Sequence, residues 1–393
     1  MSQQLISRNP DLKRLREEGY DVSVRSGHLV VDRVPYVRGP GQVAYGTLVS
    51  ELTLSGDKTV APGTHVAHFS GAFPCDQEGR PLDKIRHHSG RKDLGNGLVV
   101  DHSFSSKPPS GYADHYLKMS TYAAILAGPA ASIDARATAT PYPAVENQGD
   151  EGVFRYIDTA SSRAGINDIN ERVAGERVGI IGLGGTGSYI LDLVAKTPVK
   201  EIHLFDDDAF LTHNAFRCPG AASLDELRAR PSKVAYLAER YGVLHTGIVP
   251  HEDRISAENL ALLDDLSFVF LCVDDGAAKI PIIKHLETNA TPFVDTGLGV
   301  SRTDGRLLGV LRVTTSTPEL RSHIHEKGRI PLANAGNNEY TTNIQIAELN
   351  ALNATLAVIR WKKHRGFYLD LEREHHSTYT IDGNAMTNED KCE

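Results

Sequence analysis

The chain has 393 residues, 23% of them charged, and a formal net charge of -8. Its length exceeds one ordinary domain of roughly 100–200 residues, so we expect two domains. The acidic balance argues against a protein that neutralises nucleic-acid phosphates or an anionic membrane over a broad surface. We therefore expect neither nucleic acid nor membrane among its partners. The sequence shows no signal-peptide core and no apolar run of about 18 residues, which predicts a cytoplasmic protein.

The first part of the chain reads as a small α+β domain. Short β-type runs alternate there with glycine and proline, and a helical pattern covers residues 112–127. Residues 138–152 contain two prolines, two glycines and no apolar periodicity, which is typical of a linker. We place the domain boundary between residues 148 and 149. The sequence does not determine the role of the domain 1–148. Recruitment of a partner protein is one candidate.

Residues 149–393 have a different pattern, in which apolar strands alternate with helices. The predicted strands are 177–181, 201–205, 267–273 and 292–295. Strands separated by helical lengths predict an α/β domain with a doubly wound, mostly parallel sheet. The amphipathic stretch 341–364 predicts a long closing helix. The acidic, polar residues from 382 onward are expected to form a mobile tail.

A glycine loop follows the first of these strands. Gly182, Gly184, Gly185 and Gly187 lie between the strand and a predicted helix, where glycines allow close backbone approach to a phosphate. The acidic residue Asp206 ends the next strand, where a carboxylate would take ribose hydroxyls. These features predict a nucleotide site but leave NAD(P) and ATP both open.

Polar residues after Asp206 favour a triphosphate. Asn214 and the two cations Arg217 and Lys233 follow it, although a dinucleotide dehydrogenase needs no such cations. Asp274 ends the strand 267–273, so its side chain should project at the carboxyl edge of the sheet, well placed to hold Mg²⁺. Asp207 is expected to be a solvated charge rather than a ligand.

The chain resembles the ThiF-like adenylyltransferases of the ubiquitin-activating enzyme superfamily. The resemblance is carried by the glycine loop, the Asp206 and Asp208 pair, Asn214, Arg217, Lys233 and the pair Asp274 and Asp275. It implies ATP and Mg²⁺ as cofactors, with ribose on Asp206, phosphates on Asn214, Arg217 and Lys233, and the metal on Asp274. Arg163 resembles the arginine that reaches into the partner subunit's site in this family, which implies a homodimer.

The first half, with the segments 68–79 and 101–108, looks like the extra domain of a bacterial subfamily found beside ubiquitin-like proteins, conjugating enzymes and JAB-type peptidases. The resemblance therefore implies an enzyme that adenylates the C-terminal glycine of a ubiquitin-like protein and passes it to a conjugating enzyme. Two other functions remain open. One is an NAD(P)-dependent oxidoreductase with the same glycine loop, and the other is a catalytically inactive scaffold with the adenylation fold.

The four cysteines are Cys75, Cys218, Cys272 and Cys392, and no two form a CxxC pair, so no zinc is expected. Cys272 lies within an apolar strand and is expected in the core. Cys218 follows Arg217, whose charge should lower the pKa of the thiol. Cys218 is therefore the first candidate for a thioester, Cys75 is the second, and a mechanism without a thioester stays open.

Overall fold

The computed structural model describes residues 2–147, 152–332 and 344–392. The chain divides into two compact units, Met1–Gly152 with Tyr156–Ile166, and Val153–Arg155 with Asn167–Glu393. The predicted domain boundary at residue 148 and the first three residues of the predicted closing helix lie outside the described residues. Among the described helices, none is long and apolar enough to cross a membrane.

The first unit is built on an antiparallel sheet of six strands in the order β1-β2-β3-β6-β8-β7, with a separate ribbon of β4 and β5. Its strands are β1 Asp21–Arg25, β2 His28–Gly39, β3 Gln42–Glu51, β4 Leu54–Ser55, β5 Lys58–Thr59, β6 Val66–Ser70, β7 Arg86–Asp93 and β8 Val99–Ser105. Its helices are α1 Ser2–Arg8, α2 Pro10–Glu17, α3 His115–Ile133 and α4 Thr159–Ala164.

Alternating side chains of the central strands build the core of this unit. On one face, Leu29, Leu48 and Phe69 pack with residues of α1, α2 and α3, such as Leu12 and Tyr122. A smaller cluster on alternate positions of β2, β3 and β8 is also buried. This period of two is what a pleated sheet requires, and the unit has the predicted α+β class.

The second unit alternates strands and helices before it ends in strands. Its helices are α5 Asn167–Ala174, α6 Gly185–Val194, α7 Thr212–Ala215, α8 Leu224–Ala229, α9 Lys233–Gly242, α10 Gly276–Thr288, α11 Ser322–Glu326 and α12 Ala347–His364. Its strands are β9 Arg177–Ile181, β10 Glu201–Phe205, β11 Ile248–His251, β12 Phe268–Leu271, β13 Phe293–Thr303, β14 Arg306–Ser316, β15 Glu374–Thr380 and β16 Ala385–Lys391.

The sheet of the second unit has the order β11-β10-β9-β12-β13-β14-β15-β16. The first five strands in this order are parallel, and the last three join antiparallel. On β12, Phe268 and Phe270 face the cluster of α6, α9 and α12, whereas Val269 and Leu271 face the cluster of α10. Burial on both faces confirms the predicted doubly wound sheet.

The topology fixes where a ligand would bind. Strand β9 lies between β10 and β12, so the chain leaves it in opposite directions for the two halves of the sheet. Ligands of such folds bind beyond the carboxyl ends of the strands at this reversal. The glycine loop begins there, directly after Ile181.

One predicted element is wrong. The residues from 382 onward do not form a mobile tail, because β16 pairs with β15 from Glu374↔Lys391 to Thr380↔Ala385. Asp390 lies almost fully buried between Lys327 and Arg329, with 2.8 Å between its Oδ2 and Arg329 Nε. Strand pairing and these ion pairs order the C-terminal residues, although their composition alone predicts a solvated segment.

Candidate functional site

A cavity of about 320 Å³ opens at the carboxyl ends of β9, β10 and β12. It has the size of a small-molecule site. Most of the predicted nucleotide residues line it together, namely Gly182, Gly184, Gly185, Asp206, Asp208, Arg217, Lys233 and Asp274. Gly187 and Asn214 are not among the lining residues. The topology thus brings residues from five separate segments of the sequence to one place.

Backbone conformation explains Gly182 of the loop, and steric crowding explains Gly185 and Gly187. Gly182 has φ of +89°, a conformation that favours glycine. At Gly187 a Cβ would lie 1.9 Å from the carbonyl oxygen of Gly182, and at Gly185 it would lie 2.0 Å from Asn350 Nδ2. Helix α6 begins at Gly185, and the N–H groups of a first helical turn lack intrahelical partners. The loop therefore offers the cavity a backbone surface suited to an anion.

Asp206 is buried and holds the loop in place. Its Oδ2 accepts a hydrogen bond from Leu183 N at 2.7 Å, and its Oδ1 accepts one from Asp208 N at 3.0 Å. Lys233 Nζ donates to Asp206 Oδ1 at 3.1 Å and to Asp208 Oδ2 at 2.6 Å. The hydrogen bond from Lys233 lowers the pKa of Asp208. Lys233 therefore forms ion pairs with both carboxylates.

Two of the predicted phosphate ligands have a buried donor without an acceptor. Asn214 is 1% exposed, and its Oδ1 accepts from Leu211 N at 2.8 Å. In the part of the chain that the structure describes, Asn214 Nδ2 and Arg217 Nε have no hydrogen-bond partner. Buried donors without acceptors are costly. Arg217 lines the cavity, so a phosphate oxygen bound there could accept from its Nε.

Asp274 follows β12 and lines the cavity, where Gln345 Nε2 donates to its Oδ2 at 3.4 Å. Carboxylate oxygen is the donor that Mg²⁺ prefers, so this residue fits the predicted metal. Within the described residues, one group of three metal-capable side chains lies within 4.8 Å, Asp206 to Asp208. Because Lys233 already occupies two of those carboxylates, Asp274 is the better placed ligand.

The sequence patterns did not predict several of the residues that line the cavity. Phe205, Ile255 and Ile282 belong to one apolar cluster and form an apolar wall of the cavity, and Arg254 and Gln345 add polar groups. The apolar residues carry no signal that separates a cavity wall from a core. Asp207, expected to be merely solvated, also lines the cavity, as does Cys272. Arg254 is a lone exposed cation in an irregular segment and belongs to no motif.

The expected activation of Cys218 is not found. Its thiol is buried in the core beside Gly184, with 4.0 Å between Sγ and the carbonyl oxygen. Burial raises the pKa of Cys218, and this outweighs the opposite effect of Arg217. Burial likewise raises the pKa of Cys75 and raises that of Cys272 to about 12.

Arg163 lies in the first unit, on α4, and is not among the residues that line the cavity. Its guanidinium lies over the ring of Tyr142, 4.7 Å from the centroid. Its predicted action on a partner subunit's site remains a prediction.

Comparison with known families decides the classification. Residues 160–391 match the ThiF family. The chain belongs to the ThiF family. This membership confirms the resemblance inferred from the motifs. Residues 10–159 match a second family, described as "Domain of unknown function (DUF6791)".

Similar proteins include ubiquitin-like modifier-activating enzyme 5 of Branchiostoma floridae, which is 25% identical to this ThiF-family chain over 159 residues. The match covers 38% of this chain and 39% of that protein. This chain therefore spans about two fifths of the relative's length.

Solved structures that match part of this chain include PaaA, at 16% identity and a TM-score of 0.44 over 56% of this chain and 66% of that one. E. coli MccB with ATP is 17% identical, with a TM-score of 0.41 over 56% and 65% of the two chains. E. coli tRNA N6-threonylcarbamoyladenosine dehydratase, TcdA, in complex with AMP is 19% identical, with a TM-score of 0.40 over 52% and 92%.

Proposed function

We propose that this ThiF-family protein adenylates the C-terminal carboxylate of a ubiquitin-like protein, with ATP and Mg²⁺. One observation carries the proposal: the glycine loop, Asp206, Arg217, Lys233 and Asp274 line a single cavity. The name of the Branchiostoma relative supports a ubiquitin-like partner. In the reaction, a carboxylate oxygen attacks the α-phosphorus, the bond between the α-phosphorus and its bridging oxygen breaks, and pyrophosphate leaves.

The charges of the cavity suit this reaction. The barrier to adenylation is largely the repulsion between a carboxylate and a polyphosphate, so positioned cations supply the catalysis. Arg217 would bind phosphate oxygens as a planar donor and Lys233 as a point charge. No general base is needed, because the attacking carboxylate is already ionised at pH 7.

The balance of charge also supports a requirement for a metal ion. Five aspartates and three cations line the cavity, Asp206, Asp207, Asp208, Asp274, Asp275, Arg217, Lys233 and Arg254. A cavity with an acidic excess repels a free triphosphate. Mg²⁺ on Asp274 would neutralise phosphate charge and make pyrophosphate a better leaving group.

We further propose that the adenylate, rather than a thioester on this chain, is what the protein itself forms. A thioester needs an accessible thiol of low pKa. Burial raises the pKa of each of the four thiols, including Cys392, whose Sγ lies 3.9 Å from His375 Nδ1. Transfer to a conjugating enzyme would then begin from the adenylate.

Exchange of labelled pyrophosphate into ATP tests the proposal. With Mg²⁺ and a ubiquitin-like protein that ends in glycine, we expect exchange that stops when the metal is chelated or the terminal glycine is deleted. Arg217→Ala should lower the exchange rate about 10²- to 10³-fold, as removal of one preorganised donor does. Arg228→Ala is the matched control, because Arg228 is exposed on α8 and pairs with Asp225.

The alternatives predict other results. Binding of NAD(P) without any exchange would favour an oxidoreductase. Failure to bind any nucleotide would favour an inactive scaffold, and either result would overturn the proposal.

A further inference from the structure

Arg254 is a cavity residue that no motif includes. It lies in the segment after β11, next to Ile255, which is buried and also lines the cavity. Its Nη2 lies 3.6 Å from Oδ2 of Asp275, the residue that caps α10 by accepting from Ala277 N and Ala278 N. The guanidinium is thus held at the rim of the cavity.

The cavity lining contains two chemically different groups of residues. The glycine loop, Arg217 and Lys233 offer donors that suit phosphates, whereas Phe205, Ile255 and Ile282 belong to one apolar cluster and form an apolar wall that suits a planar base. Arg254 is linked to the apolar wall on two counts. Its chain neighbour Ile255 is part of the apolar wall, and its ion-pair partner caps the helix that carries Ile282.

The ion pair that now holds Arg254 is weak. The side chains of Arg254 and Asp275 are 63% and 36% exposed, and pairs this exposed contribute little to stability. A small competing interaction can therefore draw the guanidinium away from Asp275. A planar guanidinium stacks well on an aromatic ring.

We propose that Arg254 closes over the purine ring of the bound nucleotide and sets the affinity for the base, an inference that rests on the proposed ATP site. Arg254 acts on the base rather than on the phosphates. Two other lining cations, Arg217 and Lys233, are assigned to the phosphates, whereas Arg254 is the lining cation whose chain neighbour, Ile255, belongs to the apolar wall.

Calorimetric titration with ATP, ADP, AMP and inorganic tripolyphosphate tests this role. Arg254→Ala should weaken ATP, ADP and AMP by a similar factor, about three- to thirtyfold, the range of a lost cation–π contact. Tripolyphosphate, which has no base, should bind unchanged. Arg254→Gln, which removes the charge but keeps the length, should lie between Arg254→Ala and the wild type. Arg306→Ala, at the exposed start of β14, is the matched control.

Two results would overturn the inference. One is a loss that grows from AMP to ATP, which would place Arg254 on the phosphates. The other is a loss below twofold for every nucleotide, which would leave Arg254 as a surface charge. Because these titrations measure binding alone, a wild type that binds ATP but catalyses no exchange refutes the proposed reaction without affecting this result. A wild type that binds no adenine nucleotide refutes both.

Discussion

The glycines of the phosphate loop are not equivalent. At Gly187 a Cβ would meet the backbone oxygen of Gly182 at 1.9 Å, whereas at Gly184 nothing lies within 4 Å. Gly184 also has φ of -70°, which any residue adopts. A backbone oxygen inside a tight loop cannot move aside cheaply. The need for glycine is therefore structural at Gly187, and at Gly184 it concerns only the approach of a ligand.

We predict that Gly187→Ala lowers the free energy of unfolding by about 2 kcal/mol, the cost of overpacking at a rigid contact. Gly184→Ala should change it by less than about 0.5 kcal/mol, while weakening ATP binding through the added methyl group at the cavity wall. Urea denaturation monitored by circular dichroism, together with ATP titration, measures both effects. Equal stability of the two variants would contradict this account of the loop.

Ion pairs between the site residues change what each residue can offer a ligand. Sequence motifs assigned Asp206 to a ribose and Lys233 to phosphates as if each were available alone. In the structure Lys233 donates to both Asp206 and Asp208, and Asp206 also accepts from the loop backbone. Ligand binding would therefore exchange one set of charge-assisted hydrogen bonds for another. The affinity for a nucleotide is therefore lower than these residues would give if they were unpaired.

At the scale of elements, the C-terminal hairpin of β15 and β16 shows where local patterns stop being informative. Strands β9 and β10 could be predicted because each contains apolar residues that are buried beneath helices. Strand β16 is almost entirely exposed and polar. Its order comes from pairing with β15 and from contacts of Asp390 with Lys327 and Arg329, about sixty positions away in the chain.

The site follows the same rule. The glycine loop, Asp206, Arg217, Lys233 and Asp274 could be predicted because their spacing is local or motif-bound. Arg254 and the apolar wall of the cavity could not, since only the folded topology brings the segment after β11 to the same cavity as the loop. The state of the thiols was also beyond prediction. Burial decides the pKa of Cys218, and burial depends on long-range packing.

Asp390→Asn should loosen the hairpin of β15 and β16. Burial would raise the pKa of Asp390, but its ion pairs with Lys327 and Arg329 outweigh this and lower it. Asparagine keeps the shape and tolerates the φ of +54° at this position, but it removes the carboxylate that pairs with Lys327 and one of the two carboxylates that pair with Arg329. We expect local opening to become easier by about 1–2 kcal/mol, since the cations are partly exposed.

Hydrogen exchange of the β15 and β16 amides measures this effect, with the exposed Asp382→Asn as the matched control. A carboxylate whose folded pKa is lowered stabilises the fold above its unfolded pKa and loses that contribution as pH falls. The difference between wild type and Asp390→Asn should therefore shrink below about pH 4. An unchanged difference at low pH, or equal protection at pH 7, would show that strand pairing alone orders the hairpin.

At the scale of the whole molecule, a residue of a second subunit could complete the cavity. The structure describes one chain in which Arg163 lies over Tyr142 and does not line the cavity. The family resemblance implies that this arginine serves the site of a second subunit. We propose a symmetric homodimer with two composite sites, each built from Arg217 of one protomer and Arg163 of its partner.

Subunit complementation tests this arrangement. Arg163→Ala and Arg217→Ala dimers should each lose pyrophosphate exchange, because every site in them lacks one cation. When the two variants are mixed and allowed to reassociate, half of the dimers are hybrids, and each hybrid has one intact site and one doubly defective site. The mixture should therefore recover about a quarter of the wild-type rate. A mixture that stays inactive would mean that Arg163 acts within its own chain, and full activity of Arg163→Ala alone would mean that it has no part in the reaction.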